Sequence, residues 1–369
     1  MNRSSVSRIS AVLVVVFMVS WWSCRDTIDN PRLHDLEHIP WKPIAYMPPV
    51  PQGYPVLEQP SDNIMTIDGI RLGRKLFFDP ILSIDSTISC SSCHHPDKAF
   101  TDGRSGSIGV AGVTARSSMS LLDIGFHFQG LFWDGRSDIL EHQALLPIED
   151  PVEMGESWDR VEEKLKNHPD YPTDFRKAFG ISGTAEITRE LAGKAIAQFQ
   201  RTLISGGQSK YDKFVRGEIF LEENEQNGFW MFFDMVDFLP DAECGHCHNA
   251  PLFTTTEFHN NGIQYAPVST SYPDPGLGAI TGRISDYGKF KVPTLRNISY
   301  TGPYMHDGRF KTLDEVIDHY NSGGQYSPGK NAFIYPLRLT EDQKADLKAF
   351  LLTLNDTSFL SNPEFQSPF

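Results

Sequence analysis

The sequence predicts a mostly α-helical protein made of two related domains. One observation is a set of apolar residues at four-residue spacing, Ile187, Leu191, Ala195, Phe199 and Leu203, which would share one helix face. Another is the scarcity of long runs that alternate apolar and polar residues, as half-buried strands would. The third is a short cysteine and histidine pattern that occurs twice.

A second helix is predicted near the end of the chain. Thr340 and Gln343 form a capping box, which marks a helix start. Apolar residues follow it at helical spacing: Leu347, Phe350, Leu351 and Leu354. Long loops that carry glycine and proline, such as 103–112 and 262–288, are expected between such helices.

Length and charge limit the classes of function. The chain has 369 residues, of which 40% are hydrophobic, so it is long enough for two domains with substantial cores. Its formal net charge is −14. This charge argues against a general affinity for nucleic acid and favours a basic protein partner.

The chain begins with a predicted export signal, residues 1–24. Arg3 and Arg8 precede an apolar run from Ile9 to Trp22, which is short for a membrane span. Cys24 closes this run where a bacterial lipoprotein would be cleaved and lipid-anchored, although two tryptophans fit such a site poorly. A lipid anchor, a plain cleaved signal and an uncleaved anchor stay open, and all place the folded part outside the cytoplasm, in the periplasm.

The repeated pattern has a second half. Cys90 to His94 is followed by Phe100-Thr101, and Cys244 to His248 is followed by Phe253-Thr254. A repeated unit of this kind indicates two related domains.

Domain limits follow from this repeat and from composition. Residues 25–61 form a proline-rich extension with little regular structure expected. We expect a first domain over 62–210, a second over 211–355 and a tail over 356–369. The junction is placed near 205–225, where two glycines adjoin.

Both patterns are C-x-x-C-H, the signal for covalent c-type haem, in which two thiols bond to the porphyrin and the histidine ligates the iron. Zinc would place both cysteine pairs in one cluster and would not need the adjacent histidines. The sequence therefore predicts two covalent haems c, with His94 and His248 as proximal ligands. The four attaching thiols would be those of Cys90, Cys93, Cys244 and Cys247. Four other histidines remain candidate ligands, although a lone histidine is more often structural: His127, His142, His306 and His319.

Several ordered blocks carry a family resemblance. They are LGRKLFFDP at 72–80, FWDGR at 132–136, KVPTLRN at 291–297 and YMHDGR at 304–309. With these blocks the sequence resembles the bacterial di-haem cytochrome c peroxidases, which include MauG-type enzymes. The resemblance implies two cytochrome c-like domains, each with one covalent haem c, the first peroxidatic and the second an electron-transfer haem.

The resemblance also implies roles for three residues. Glu153 matches the catalytic acid/base and Gln143 the residue that orients peroxide, whereas Trp133 matches a tryptophan between the haems. A positioned carboxylate can move the proton that splitting peroxide requires. The plainer interpretations are a helix-start charge for Glu153 and a packed aromatic for Trp133.

The sequence departs from the peroxidase pattern in two places. The loop 103–112 lacks the histidine that caps the oxidised iron in reductively activated relatives, so the first iron should be open unless His127 substitutes. Counting from His306, the family's methionine ligand is replaced by Tyr320, with His319 and Met305 as alternatives. A phenolate would favour the ferric state of the second haem.

Calcium is a further cofactor implied by the resemblance. Thr301 and Pro303 match its carbonyl ligands, but the position of its asparagine ligand is occupied by Ser117. An all-oxygen site of this kind suits calcium.

Three functions follow from these features. The leading hypothesis is an exported peroxidase that reduces hydrogen peroxide to water with electrons from a small cytochrome c or cupredoxin. The second is a MauG-type oxidase of a protein or organic substrate, and the third is a di-haem electron carrier without peroxide chemistry. A second copy of the chain is a candidate partner.

Overall fold

The computed structural model describes residues 31–127 and 129–369. Its α-helices are α1 Ile67–Phe78, α2 Leu140–Gln143, α3 Leu146–Glu149, α4 Trp158–Asn167, α5 Tyr171–Phe179, α6 Arg189–Gln200, α7 Lys210–Val215, α8 Glu223–Phe232, α9 Leu277–Thr281, α10 Leu313–Ser322 and α11 Glu341–Leu352. Two antiparallel pairs of very short strands accompany them: β1 Ile108–Gly109 with β2 Gly112–Val113, and β3 Phe258–His259 with β4 Phe290–Lys291. The predicted helix-rich fold with few strands is confirmed.

Both helices predicted from the sequence are present. The predicted repeat coincides with α6, which crosses α1 closely: a Cβ at Gly73 would lie only 1.8 Å from the backbone oxygen of Ala195. The capping box starts α11, because the Thr340 side chain accepts a hydrogen bond from the Gln343 amide. Glycine at position 73 therefore permits a helix contact that no other residue would allow.

Buried apolar side chains form four clusters in the described part of the chain. One cluster is built on α1, α4, α5 and α6, and a second surrounds Phe77 and Phe100. A third, on α8, α10 and α11, is drawn from residues 211–354. The domain limits given above stay predictions.

The proline-rich extension lies against the first half of the chain. In its described part, regular structure is confined to one short 3₁₀ turn, Pro31–Leu33, and a bridge from Ala45 to Thr66. Leu36 and Leu57 are buried in different clusters. The predicted export signal and Cys24 lie outside the described residues, within which no helix is long and apolar enough to cross a membrane.

The C-terminal tail returns to the first half of the chain. Phe359 and Phe365 are buried in the same cluster as Phe100. The Arg74 side chain also donates a hydrogen bond to the Gln366 carbonyl at 2.8 Å. The tail is thus packed against residues that precede it by most of the chain length, which its sequence did not indicate.

Candidate functional site

The two C-x-x-C-H segments fold into the same tight turn. The His94 amide donates to the Cys90 carbonyl at 3.1 Å, and the His248 amide donates to the Cys244 carbonyl at 2.9 Å. The cysteines of both turns are free thiols, and burial raises the pKa of Cys90 and of Cys244 to about 12. Each turn therefore presents two protonated thiols and one imidazole, the donor set needed to attach haem c.

The repeated Phe-Thr pairs position the two histidine rings. His94 Nδ1 lies 2.8 Å from the Phe100 carbonyl oxygen, and His248 Nδ1 lies 3.0 Å from that of Phe253. Both phenylalanines are fully buried and have positive φ, 60° and 54°. Burial lowers the pKa of both histidines, that of His248 to about 4. Each ring is thus neutral, donates from Nδ1 and keeps the Nε2 lone pair that an iron ligand needs.

A central cavity adjoins the second turn. Cys244, Cys247 and His248 line it, and most of its other walls are apolar side chains. It extends to residues 117–120, and the Met119 backbone of this segment lies within hydrogen-bonding distance of the His94 imidazole. A largely apolar cavity beside two thiols and a neutral imidazole fits haem, and the turn at Cys90 offers the same donors.

Two side chains predicted for the sixth ligand position face this cavity together. The Asn261 amide nitrogen donates to the Tyr320 hydroxyl at 3.1 Å and lies 3.4 Å from Met305 Sδ. Burial raises the pKa of Tyr320 to about 12, and the hydrogen bond from Asn261 opposes that shift. His319 instead directs Nε2 at the Asn261 carbonyl, 3.0 Å away. His319 therefore contacts the backbone of Asn261, whereas Tyr320 and Met305 contact its side chain.

Glu153 lies beside the first turn. Burial, followed by the charge of Asp150, raises the pKa of Glu153 to about 7. Its own charge in turn raises the pKa of Cys90 and of Cys93. Within the described ranges its carboxylate accepts no hydrogen bond, so this oxygen pair is available to a ligand.

The loop 103–112, which has no histidine, is hydrogen-bonded to the backbone of Glu153. Part of the loop is the β1–β2 hairpin, and the Val110 amide donates to the Glu153 carbonyl at 2.9 Å. A Cβ at Gly109 would lie 2.0 Å from the Val152 oxygen, so only glycine allows this approach. The loop thus fixes the segment from which Glu153 projects.

Gln143 ends α2 and is held by a second glutamine. The Gln200 side chain, 4% exposed, donates from Nε2 to Gln143 Oε1 at 3.2 Å. Gln200 Oε1 has no hydrogen-bond partner in the described part of the chain. Among the described residues, no hydrogen bond joins Gln143 to Glu153. The Gln143 side chain is therefore oriented by Gln200 and not by Glu153.

Trp133 connects the two halves of the chain. Its indole nitrogen donates to the Ser117 carbonyl at 2.9 Å, and its own carbonyl accepts from the Lys291 amide at 2.9 Å. The Ser117 amide donates in turn to the His306 carbonyl at 2.8 Å. Trp133 is therefore fixed on the wall of the central cavity, beside Ser117.

The predicted calcium ligands lie on the same cavity wall. Ser117, Thr301 and Pro303 all line it. The Ser117 hydroxyl donates to the Met305 carbonyl at 3.1 Å, so it links the two halves directly. Calcium takes 6–8 oxygen ligands, of which these residues supply only part. Calcium accordingly stays a prediction.

The remaining candidate histidines have three different environments. His127 lines the central cavity, and both its ring nitrogens are buried without a hydrogen-bond partner among the residues described. Burial lowers its pKa to about 3. His306 stacks on Phe290 with centroids 3.7 Å apart, and His142 Nδ1 lies 3.1 Å from the Ser137 hydroxyl.

Three residues of this region were missed by sequence reasoning. Asn261 donates a hydrogen bond to Tyr320, and Gln200 donates one to Gln143. Lys291 is a buried amine on the cavity wall, 2% exposed. Lys291 donates to the Thr256 carbonyl at 3.0 Å, and burial lowers its pKa to about 7. Lys291 lies within the KVPTLRN block, whereas an amide in a glycine-bearing loop gives no signal of its own.

Known proteins share this architecture. The sequence profile of the di-haem cytochrome c peroxidases matches residues 68–219. Methylamine utilization protein MauG from Methylorubrum extorquens is 36% identical over 304 residues, 80% of each chain. Cytochrome c551 peroxidase from Nitrosomonas europaea is 34% identical over 310 residues, 82% of this chain and 83% of its own.

Solved structures agree with these sequence matches. The crystal structure of a MauG-like protein associated with microbial copper homeostasis superimposes with a TM-score of 0.79 at 37% identity, covering 88% of this chain and 99% of the other. The diheme peroxidase BthA from Burkholderia thailandensis has a TM-score of 0.69 at 23% identity, covering 85% and 91%, and bears on the fold alone.

Proposed function

Because the chain belongs to the di-haem cytochrome c peroxidase family, a family of oxidoreductases that includes the MauG proteins, we propose that it reduces hydrogen peroxide to water. The electrons would come from a small cytochrome c or cupredoxin outside the cytoplasm. One observation carries this proposal: a half-buried carboxyl group, Glu153, lies beside the first C-x-x-C-H turn with a pKa raised to about 7. A general acid/base works best when its pKa lies near the working pH.

Glu153 and Gln143 have different roles toward peroxide at the first C-x-x-C-H turn. The covalent haems, with His94 and His248 as proximal ligands, supply the redox chemistry of iron when bound. Glu153 accepts a proton from one peroxide oxygen and returns it to the other as the bond between them breaks. Two electrons and two further protons complete the conversion of one peroxide to two waters. Gln143, held by Gln200, orients the outer oxygen with its amide.

Residues around the central cavity serve electron delivery. Tyr320 is the proposed distal ligand at the second turn, where an anionic oxygen would favour the ferric state. Trp133 lines this cavity and its indole is fixed by the Ser117 carbonyl, which suits the proposed role in electron transfer between the haems. The net charge of −14 favours a basic donor protein.

The first site is proposed to be open in the oxidised protein. The loop 103–112 carries no histidine, and its Val110 amide is hydrogen-bonded to the Glu153 carbonyl. His127 lines the central cavity, whose walls include Cys244, Cys247 and His248 of the second turn. Peroxide should therefore react without prior reduction of the protein.

Export is part of the proposal. The basic start and apolar run of residues 1–24 support it, as does the C-x-x-C-H chemistry, because c-type haems are attached outside the cytoplasm. A lipid anchor at Cys24 would attach the exported protein to a membrane.

A MauG-type oxidase is the second candidate function. A tyrosine in place of methionine favours it, and so does the relative from Methylorubrum extorquens, which is named MauG. In that case peroxide would supply the oxidising equivalents, and the two electrons would be taken from a protein or organic substrate instead of a small redox protein. A simple electron carrier is disfavoured, because it would have no use for a carboxyl group with a raised pKa, such as Glu153, beside the first turn.

Steady-state assays separate these candidates. The purified holoprotein is given hydrogen peroxide with reduced cytochrome c, and in parallel the fully oxidised protein is given peroxide alone. A peroxidase oxidises two cytochromes per peroxide. An oxidase reacts with peroxide alone but oxidises cytochrome c poorly. A protein that responds to neither is a carrier, and that result would contradict the proposal.

A further inference from the structure

The side chain of Asn261 has a defined orientation. Its Oδ1 accepts a hydrogen bond from the Ile263 amide at 3.2 Å, in a turn closed by the side chain. Since an amide hydrogen must meet an oxygen, the other end of the side chain is the NH₂ group. The Asn261 backbone is held as well, because His319 Nε2 lies 3.0 Å from its carbonyl oxygen.

That NH₂ group meets both candidate ligands of the second haem. Tyr320 Oη is 3.1 Å and Met305 Sδ is 3.4 Å from Asn261 Nδ2. Both side chains line the central cavity, as does His248. One donor therefore lies at the point where a phenol and a thioether compete for the same position.

We infer that Asn261 is a positioning residue that selects Tyr320 over Met305 as the side chain directed at the second haem. This inference rests on the proposed haem attachment at Cys244 and Cys247. A hydroxyl oxygen is a good hydrogen-bond acceptor, whereas a thioether sulfur is a weak one. The Asn261 donor thus holds the Tyr320 oxygen in place in preference to Met305 Sδ, and ligand identity in turn sets the haem potential.

The competing explanation is that Asn261 only closes its turn. Aspartate separates the two roles, because Asn261→Asp keeps an oxygen for the Ile263 amide but loses the donor to Tyr320. Asn261→Leu removes the donor without adding a charge.

Asn331 provides a matched control in the same cavity. Its Oδ1 accepts from the Phe333 amide at 2.9 Å, in the same kind of turn. Its Nδ2, however, lies 3.0 Å from His259 Nδ1 and makes no hydrogen bond to Tyr320. Asn331→Asp therefore makes the same chemical change on the cavity wall without removing the donor to the phenol.

The experiment records absorption spectra and reduction potentials of the ferric holoproteins. We expect Asn261→Asp and Asn261→Leu to gain the thioether-to-iron charge-transfer band and a more positive potential at one haem. Adding Met305→Leu should abolish the gained band. Asn331→Asp should match the parent protein.

Three results would overturn the inference. They are an unchanged spectrum in both Asn261 variants, an equal change in Asn331→Asp, and a thioether band already present in the parent protein. A failure of the proposed function is distinct, because it would be an absence of peroxide turnover in the parent protein, whatever the spectra of the Asn261 variants.

Discussion

Glu153→Gln keeps the size and hydrogen-bonding capacity of this side chain but removes its ability to accept a proton. The carboxyl is partly buried and lies near Asp150, and these two causes raise its pKa to about 7. Glutamine adds no charge to the site, so attachment of the haems should be unaffected. The substitution therefore tests proton transfer separately from folding.

The expected loss follows from the role assigned to Glu153. General acid/base catalysis contributes about 10²–10⁴-fold, or about 3–5 kcal/mol of transition-state stabilisation. Because the pKa of Glu153 is about 7, the proton-accepting form is the minority below that pH and the majority above it. Turnover in the parent protein should therefore fall as the pH is lowered through 7. Glu153→Gln should lose this dependence together with its activity.

Peroxide turnover is measured between acidic and alkaline pH with the haem content of each sample determined in parallel. Glu149→Gln is the matched control, because Glu149 is four residues earlier, 43% exposed and 3.5 Å from Arg189 at the surface. It should keep the parent rate and pH profile. Near-normal turnover in Glu153→Gln, or the same loss in Glu149→Gln, would refute the role given to Glu153.

Three further predictions concern the haems, the path between them and the fold. Replacing Cys244 and Cys247 with alanine should leave one covalent haem per chain, counted by absorbance of the denatured protein; two remaining haems would contradict the attachment sites. Trp133→Phe should slow turnover with both haems retained, and an unchanged rate would assign Trp133 to packing alone. Gly73→Ala places a Cβ 1.8 Å from the Ala195 oxygen, so it should lower the free energy of unfolding by about 1–3 kcal/mol in denaturant titrations; a stability equal to the parent's would show that the helices can separate at no cost.

The parts of the fold that sequence could predict depend on local patterns. The apolar spacing around Ala195 and the capping box at Thr340 are local, and both gave helices that the structure contains. The tail was less accessible, because the burial of Phe359 and Phe365 depends on partners far away in the chain. No local pattern records such a contact.

In the candidate site, too, local motifs could be predicted from the sequence and long-range contacts could not. The C-x-x-C-H motifs are contiguous, and the Phe-Thr repeat that accompanies them supplies the carbonyls of Phe100 and Phe253 to the two imidazoles. Asn261 acts on Tyr320 across a long stretch of chain, and an asparagine before a glycine is ordinarily read as a turn. Its second role appears only when the loop and α10 are seen together.

Electron paramagnetic resonance of the fully ferric holoprotein, before and after addition of peroxide, shows whether the first iron is open to peroxide in the oxidised protein. We expect one high-spin haem with an open or water-bound face, one low-spin haem, and loss of the high-spin signal on adding peroxide without any reductant. Two low-spin signals that are indifferent to peroxide, one of which becomes high-spin in His127→Ala, would contradict this expectation, because they would show that His127 caps the first iron and that the protein requires reductive activation.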